Sequence, residues 1–277
     1  MITLNRETIF QDMLESYKKR STLLGRVKVE FYGEDAVGDG VTRDAYSEFF
    51  EALYSKMDGY VEKVPSSQLK EEELELIGKI INHAFVCYNI FPHQLSKCSL
   101  SFNLFSCIED DTLIQSFLQF LLPNEAKLFK DFSTDESVKD VQPLVDILFD
   151  YDVYDHPSRE KMPTILINAG KAALIKSPMF AMRALIKGMG SMWQKMNHEM
   201  IFSLYGSTKP TAQKIIESLD SCEKVKKEST IITWLHRFLR SCGEIELEEF
   251  MRFTTGGSVF VPNMTLQVQF IVSTIIS

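Results

Sequence analysis

The sequence has few cysteines, no long apolar run and no basic patch. Its cysteines are odd in number and widely spaced, which predicts free thiols in a reducing compartment and argues against a disulfide framework. No apolar run approaches the roughly 20 residues of a membrane span, and residues 1–20 lack the apolar core of a secretory signal. We therefore expect an intracellular protein, cytoplasmic or nuclear, that does not bind a membrane. The cysteines are Cys87, Cys98, Cys107, Cys222 and Cys242.

Basic residues are also outnumbered. Lysine and arginine together number 30, against 38 aspartates and glutamates, so the formal net charge of the 277 residues is −8. Such a chain repels a phosphate backbone unless its basic residues cluster, and the densest basic run, at residues 224–227, is short and flanked by glutamates. The hydrophobic fraction of 45% is that of an ordinary globular protein. We expect one large or two smaller domains and no nucleic-acid partner.

A glycine-rich stretch at residues 33–40 has the position of a phosphate-binding loop, between a predicted strand and a predicted helix. Gly33 and Gly38 also have the two-glycine spacing of such a loop. Asp39 and Gly40, however, occupy the places of the required lysine and hydroxyl residue. The stretch is therefore predicted to be an acidic turn that binds no nucleotide, and no cofactor is expected.

Metal-binding patterns are incomplete as well. A calcium loop that started at Asp150 would have Asp155 where its sharp turn needs glycine. The densest group of zinc-ligand residue types has no paired Cys-x-x-C spacing, and packing on a helix explains its members better. No metal site is expected. The group consists of His83, Cys87, His93 and Cys98.

Apolar residues recur at helical spacing along most of the chain, which predicts a mainly helical α+β fold. Residues 26–31 alternate as a strand does, and Thr42 or Asp44 is predicted to cap the helix after the glycine-rich stretch. Pro123 is predicted to stop a helix, and residues 132–163 are predicted to form a flexible or exposed region. The predicted helices cover residues 9–17, 46–57, 74–88, 113–122 and 165–205.

A hinge is predicted at residues 206–210, between a first unit of residues 1–205 and a second unit of residues 211–277. The second unit is predicted to begin with helices, one of them capped by Ser229. Alternation from Thr265 to Val272 then predicts a strand. If the chain stopped there, this strand would present an unpaired edge.

Two segments of the sequence resemble the HECT family of ubiquitin ligases. The first, VKVEFYGEDAVGDGVTRDAYSEFF at residues 27–50, resembles the strand, Gly-Glu turn, Asp-Gly element and arginine near the start of the family's N-lobe. The second, RFTTGGSVFVP at residues 252–262, resembles the Phe-x-Thr-Gly element of the C-lobe, which ends in a proline. The residues that match the motifs are Gly33, Glu34, Asp39, Gly40, Arg43, Phe253, Thr255, Gly256 and Pro262.

The resemblance implies a HECT-like bilobal fold, with a largely helical N-lobe over residues 1–205 and an α+β C-lobe from residue 211. It also implies an activity, in which ubiquitin passes from a ubiquitin-conjugating enzyme to a cysteine of the ligase and then to a substrate lysine. The implied partners are therefore a ubiquitin-conjugating enzyme and ubiquitin. Val41 and Asp44 stand where the family usually has a glycine and a glutamate, which indicates a divergent branch with a compact N-lobe.

The family's catalytic cysteine lies a few tens of residues beyond the Thr-Gly element, beside a threonine. None of the five cysteines has that position, so we expect an incomplete C-lobe and a catalytic cysteine beyond Ser277. The resemblance assigns Gly33, Glu34 and Arg43 to an N-lobe turn, and Thr255 and Gly256 to a C-lobe turn. Two other hypotheses stay open, an inactive adaptor that binds a conjugating enzyme and a helical scaffold with an accidental match.

Overall fold

The computed structural model describes residues 1–19, 25–221 and 226–268, with side chains up to residue 219 and again from residue 230 in the second half. These residues form a mainly helical α+β fold with three two-stranded sheets. The strands are β1 (Ile2–Leu4), β2 (Val29–Phe31), β3 (Met57–Asp58), β4 (Val64–Pro65), β5 (Leu219–Ser221) and β6 (Leu266–Val268).

Thirteen α-helices lie within the described ranges. They are α1 (Ile9–Tyr17), α2 (Asp39–Tyr54), α3 (Glu71–Tyr88), α4 (Lys97–Phe105), α5 (Asp110–Phe120), α6 (Pro123–Thr134), α7 (Gln142–Phe149), α8 (Met162–Gly170), α9 (Met179–Met189), α10 (His198–Thr208), α11 (Ala212–Ser218), α12 (Lys226–Ser241) and α13 (Glu244–Thr255). A π-helix (Lys171–Lys176) joins α8 to the turn before α9.

The helix after the glycine-rich stretch begins earlier than predicted. Its first residue is Asp39, because Gly38 has a φ of 139° and turns the chain directly into α2. The prediction that Thr42 or Asp44 caps this helix is therefore wrong. Thr42 lies inside the helix, and its hydroxyl donates to the carbonyl oxygen of Gly38 at 3.1 Å. The preceding strand β2 pairs in parallel with β1, which the sequence did not predict.

Helices α3 and α9 form the centre of the first hydrophobic core. Their backbones touch at two glycines. A Cβ atom on Gly78 would lie 2.0 Å from the carbonyl oxygen of Leu185, and one on Gly188 would lie 2.0 Å from that of Glu75. The close approach buries a contiguous apolar seam between the two helices. The seam includes Ile77, Ile81, Leu185 and Met189, each at most 1% exposed.

A second hydrophobic core lies under α5, α6, α7, α8 and the π-helix. Pro123 is the first residue of α6 and does not end the helical region, because proline is favoured at the first position of a helix. The predicted flexible region of residues 132–163 contains the whole of α7, with Leu144 and Leu148 buried. The first unit predicted from the sequence thus contains two cores.

A third core lies between α11, α12 and α13 and includes Ile215, Leu239 and Met251. Strand β6 pairs in parallel with β5, with Leu266 opposite Leu219, so the predicted strand has a partner. Residues 269–272 of that strand, and Cys222, lie outside the described residues. Helix α12 begins at Lys226, three residues before Ser229, so Ser229 is not its cap.

The predicted hinge is mostly helical. Helix α10 continues through Thr208, and the change of direction falls at Lys209 and Pro210. Thr211 caps the next helix, since its hydroxyl accepts from the backbone N–H of Lys214 at 3.3 Å. None of the helices in the described ranges is long and apolar enough to cross a membrane.

Candidate functional site

The two segments that resemble the HECT family meet in space. Arg252, near the end of α13, donates from Nε and Nη2 to Oδ1 of Asp44 at 3.1 and 2.9 Å, and Nη2 also donates to Oε1 of Glu48. Asp44 and Glu48 lie one turn apart on α2. These contacts join residues 204 and 208 positions apart in the sequence. We call the contact between residues 33–48 and residues 252–264 the junction.

Arg6 extends the junction on the side of α1. Its guanidinium pairs with Glu34 at 2.7 Å, with Asp44 at 2.8 Å and with Glu48 at 3.3 Å. The hydrogen bond to Glu34 and the charge of Asp44 raise the pKa of Arg6, and the bond from Arg6 lowers the pKa of Glu34. These three carboxylates thus pair with two guanidinium groups, those of Arg6 and Arg252. Arg6 and its partners are partly exposed, so water and salt weaken each pair.

Burial alone would lower the pKa of Arg252. The hydrogen bonds and charges of Glu48 and Asp44 outweigh that effect and raise it. The side chain of Arg252 is 33% exposed, against 18% for Asp44. The pair of Arg252 and Asp44 is therefore better shielded from water than the pairs of Arg6. We expect it to contribute more to the stability of the junction.

The backbone at the Thr-Gly turn fits closely against α2. Gly256 ends α13 in the left-handed conformation, with a φ of 78°. A Cβ atom at this position would lie 2.2 Å from the carbonyl oxygen of Gly40. The hydroxyl of Thr255 donates to the carbonyl oxygen of Met251 at 2.8 Å, and the backbone N–H of Ser258 donates to the Ser47 hydroxyl at 3.1 Å. The turn is thus shaped to touch the start of α2.

Arg43 does not shape the N-lobe turn to which the resemblance assigned it. It lies in α2, and its Nη1 atom is 3.6 Å from the sulfur of Met264. The buried Nε atom of Arg43 has no hydrogen-bond partner among the described residues. Asp39 and Gly40 likewise lie in the first turn of α2. Helix α2, which begins directly after Gly38, contains all three, and Gly40 and Arg43 contact residues 252–264.

The remaining motif residues lie around the junction or point away from it. Gly33, with a φ of 81°, lies in the turn after β2. Phe253 is 90% exposed and contributes nothing to the third core. Pro262 lines a surface cavity with Phe85 and Met200. Some motif residues therefore join the two segments, whereas Gly33, Phe253 and Pro262 lie elsewhere on the surface of the fold.

A second candidate surface is formed by the loop after α7. The rings of Phe149 and Tyr154 are 5.6 Å apart, edge to face, and the side chains are 63% and 71% exposed. Asp152, with a φ of 57°, turns the chain between them. Tyr154 also lines a cavity of about 710 Å³ beside the π-helix, whose Lys171 and Lys176 border it. Two exposed aromatic rings beside a groove are typical of a protein-binding surface.

The sequence did not single out a buried carboxylate, that of Glu62. Its oxygens accept from the hydroxyls of Ser96 and Ser116, both at 2.9 Å, and Lys97 Nζ lies 3.7 Å away. Burial raises the pKa of Glu62, although Lys97 and the two hydroxyls act in the opposite direction. No signal in the polar stretch around Glu62 distinguishes it from an exposed glutamate. It links α4 to α5 and has no ligand-binding geometry of its own.

His83 and Cys98, two members of the zinc-like group, lie inside the fold. The Nε2 N–H of His83 donates to the carbonyl oxygen of Gly25 at 2.7 Å, so Nδ1 is an acceptor. It lies 2.5 Å from the hydroxyl of Tyr17 and 2.9 Å from that of Tyr46, and the two hydroxyls are 2.5 Å apart. Cys98 is fully buried. Within the described ranges, no three potential ligands are grouped closely enough to hold a metal ion. His93 instead pairs with Glu248 of α13 at 3.0 Å.

Comparison with known proteins adds no relative. No protein-family model matches the chain, and no curated protein matches it significantly. The function proposed below therefore rests on the motifs and on the geometry of the junction.

Proposed function

We propose that the chain is the docking scaffold of a HECT-type ubiquitin-protein ligase, which binds a ubiquitin-conjugating enzyme and brings ubiquitin toward a protein substrate. The role that we propose for these 277 residues is docking, and we assign the acyl transfer to none of their five cysteines, which all precede Thr255. An adaptor that binds the conjugating enzyme without accepting ubiquitin is the second form that this function can take.

The observation that carries the proposal is the contact between the two motif segments. Each segment resembles the family through its own residues, independently of any contact between the two. Arg252 reaches Asp44, and Gly256 lies against Gly40, so residues of one segment contact residues of the other directly. An accidental match of two unrelated segments gives no reason for such a contact. This argues against the scaffold hypothesis without a ligase relationship.

The loop of Phe149 and Tyr154 is the surface to which we assign the conjugating enzyme. Exposed aromatic side chains supply much of the binding energy in protein interfaces, because they bury a large area at a small cost in conformational entropy. The rings of this pair contact each other, so part of that entropy is already lost in the free protein. The groove beside the π-helix offers space for a side chain of the partner.

The test is to measure binding of the full chain to a panel of ubiquitin-conjugating enzymes by biolayer interferometry. At least one enzyme is expected to bind. The double substitution Phe149→Ala and Tyr154→Ala is expected to weaken that binding by about tenfold or more, because both rings leave the interface. The matched control is Phe180→Ala, which removes another exposed aromatic ring, 88% exposed on α9, and is expected to leave binding unchanged.

Binding to none of the enzymes would contradict the proposed function. Binding that Phe180→Ala weakens and the double substitution does not would retain the function and overturn the assigned surface. A non-reducing gel after incubation with a ubiquitin-charged enzyme then separates the two forms of the function. The adaptor is expected to show no ubiquitin adduct that a thiol reagent removes.

A further inference from the structure

Cys107 and His198 form an exposed pair of thiol and imidazole. The sulfur of Cys107, just beyond α4, is 3.2 Å from Nε2 of His198, which is the first residue of α10. The imidazole ring packs against Phe105, with ring centroids 4.5 Å apart, and lies near Phe202. These aromatic contacts hold the ring beside the sulfur. A cysteine and a histidine at this distance are a nucleophile and a base within hydrogen-bond reach.

The pair opens on a surface cavity of about 480 Å³. Ile108, Thr112 and Phe202 give the cavity an apolar wall, and the carboxylates of Glu109 and Glu199 also line it. The cavity is large enough for a small molecule to reach the sulfur. Its carboxylates repel anionic reagents such as glutathione disulfide and leave uncharged ones free to enter.

The other described thiols are less suited to react. Cys98 is buried, and desolvation raises the pKa of its thiol to about 12. Burial also raises the pKa of Cys87, and burial together with the charge of Glu246 raises that of Cys242. Cys107 is the exposed one of these four, and it alone among them has an imidazole partner. The four thiols therefore provide a comparison within a single chain.

We propose that Cys107 and His198 form a modification site at which a small, uncharged hydroperoxide oxidises the Cys107 sulfur. His198 takes the thiol proton, and the thiolate attacks one peroxide oxygen and breaks the O–O bond. The sulfur is oxidised by two electrons to a sulfenic acid and the peroxide is reduced. The leaving oxyanion is hydroxide from hydrogen peroxide or alkoxide from an organic hydroperoxide, and it takes the proton from His198 and departs as water or as an alcohol. This inference does not depend on the proposed function.

The test uses the full chain, treated with hydrogen peroxide in the presence of dimedone, which traps sulfenic acids. Mass spectrometry of the peptides then gives a labelling rate for each cysteine. Cys107 is expected to be labelled at least about tenfold faster than Cys87, Cys98 or Cys242. Similar rates at all four thiols would overturn the proposal, and so would fastest labelling at a thiol other than Cys107.

The pH dependence of the labelling rate tests whether His198 acts as a base, because a purely structural role would leave that dependence unchanged. His198→Gln removes the base, so labelling of Cys107 is expected to fall about tenfold near neutral pH and to recover at alkaline pH, where hydroxide takes over as the base. His156→Gln, which changes another exposed histidine, is expected to keep the wild-type pH profile. Thermal unfolding of each variant shows whether the fold is retained. An unchanged pH profile in folded His198→Gln would overturn the assignment of the base.

Discussion

The contact between α3 and α9 and the junction both bring two backbones together at a glycine, but different forces hold them. Between α3 and α9 the surrounding side chains are apolar and almost fully buried. At the junction the two segments are joined by arginines and carboxylates, 18–39% exposed, and Val259 adds one buried side chain to the first core. The first contact is a permanent part of the core. The second has the polar, partly hydrated character of contacts that open and close.

The difference has an energetic consequence. Burial of apolar area contributes roughly 25 cal/mol per Å² and does not depend on salt, whereas a partly exposed ion pair contributes about 0–1 kcal/mol and is screened by salt. We therefore expect the segment of residues 212–268 to separate from α2 at lower cost than α3 separates from α9. In a ligase scaffold, a junction that opens at low cost would allow the two motif segments to move relative to each other.

The largest effect is expected from Gly78→Ala. The added methyl would lie 2.0 Å from the carbonyl oxygen of Leu185, so α3 and α9 have to move apart and the seam between them loses its packing. The gain in helix propensity of about 1 kcal/mol does not compensate for overpacking of this kind. We expect a net loss of roughly 2 kcal/mol or more in the free energy of unfolding, measured by urea denaturation.

Gly206→Ala is the matched control for this substitution. Gly206 also lies inside a helix, α10, but a Cβ atom there would meet nothing within 4 Å. The alanine is expected to stabilise the protein by up to about 1 kcal/mol, because only helix propensity and chain entropy change. Equal effects of the two substitutions would show that the α3–α9 backbone contact is not as close as described.

The second prediction concerns Arg252→Ala at the junction. The substitution removes the hydrogen bonds to Asp44 and Glu48 and leaves both carboxylates without this partner. We expect amide hydrogen exchange in α13 to accelerate about tenfold, which corresponds to roughly 1.4 kcal/mol, while exchange in α3 stays unchanged. In the wild-type protein, raising the salt concentration is also expected to accelerate amide hydrogen exchange in α13, because salt screens the ion pairs of the junction.

Lys127→Ala is the control for the loss of a positive charge, since Lys127 pairs with Asp131 on the exposed face of α6 at 2.5 Å. This variant is expected to leave exchange in both α13 and α3 at the wild-type rate. Acceleration of α3 and α13 together in Arg252→Ala would mean that the junction and the first core open as one unit. That result would remove the distinction between the two contacts.

The same distinction explains how far the sequence predicted the fold. The long amphipathic helices were predicted because apolar spacing is a local signal, and α3 follows its predicted residues 74–88 closely. The helices α6 and α7 were missed, since Pro123 fits the end of one helix as well as the start of the next. Pairing of β6 with β5 joins residues far apart in the sequence, and no local pattern specifies such a partner.

The candidate sites were predicted less completely. The resemblance to the HECT family drew attention to both segments of the junction, but Arg6 carries no spacing that would indicate its contacts with Asp44 and Glu48. Cys107 and His198 are 91 positions apart, and proximity in the sequence favoured other cysteine and histidine residues as candidates. Single charged or nucleophilic side chains have no periodicity, so their partners are known only from the folded chain.

The smallest effect is expected from Glu62→Gln, which tests a polar contact within the buried region. Burial raises the folded-state pKa of Glu62 above its unfolded value of about 4.3, so the folded protein binds this proton more tightly than the unfolded chain. Its stabilising contribution is fully present below that unfolded pKa and is lost as pH rises through the folded pKa. Glutamine imitates the protonated form and removes this dependence. At neutral pH the substitution is expected to change the free energy of unfolding by about 1 kcal/mol or less, because the glutamine amide retains an acceptor for one of the two serine hydroxyls.

The measurement is the free energy of unfolding of both proteins between about pH 4 and pH 7. Relative to wild type, Glu62→Gln is expected to become more stable as pH rises across this window. Glu72→Gln, at an exposed position of α3, is the control and is expected to show no such trend. A relative stability of Glu62→Gln that falls with rising pH would mean that Lys97 and the serine hydroxyls outweigh burial and lower the pKa of Glu62. In that case a buried polar contact would stabilise the charged form, as the ion pairs of the junction do, and the two regions would differ in exposure alone.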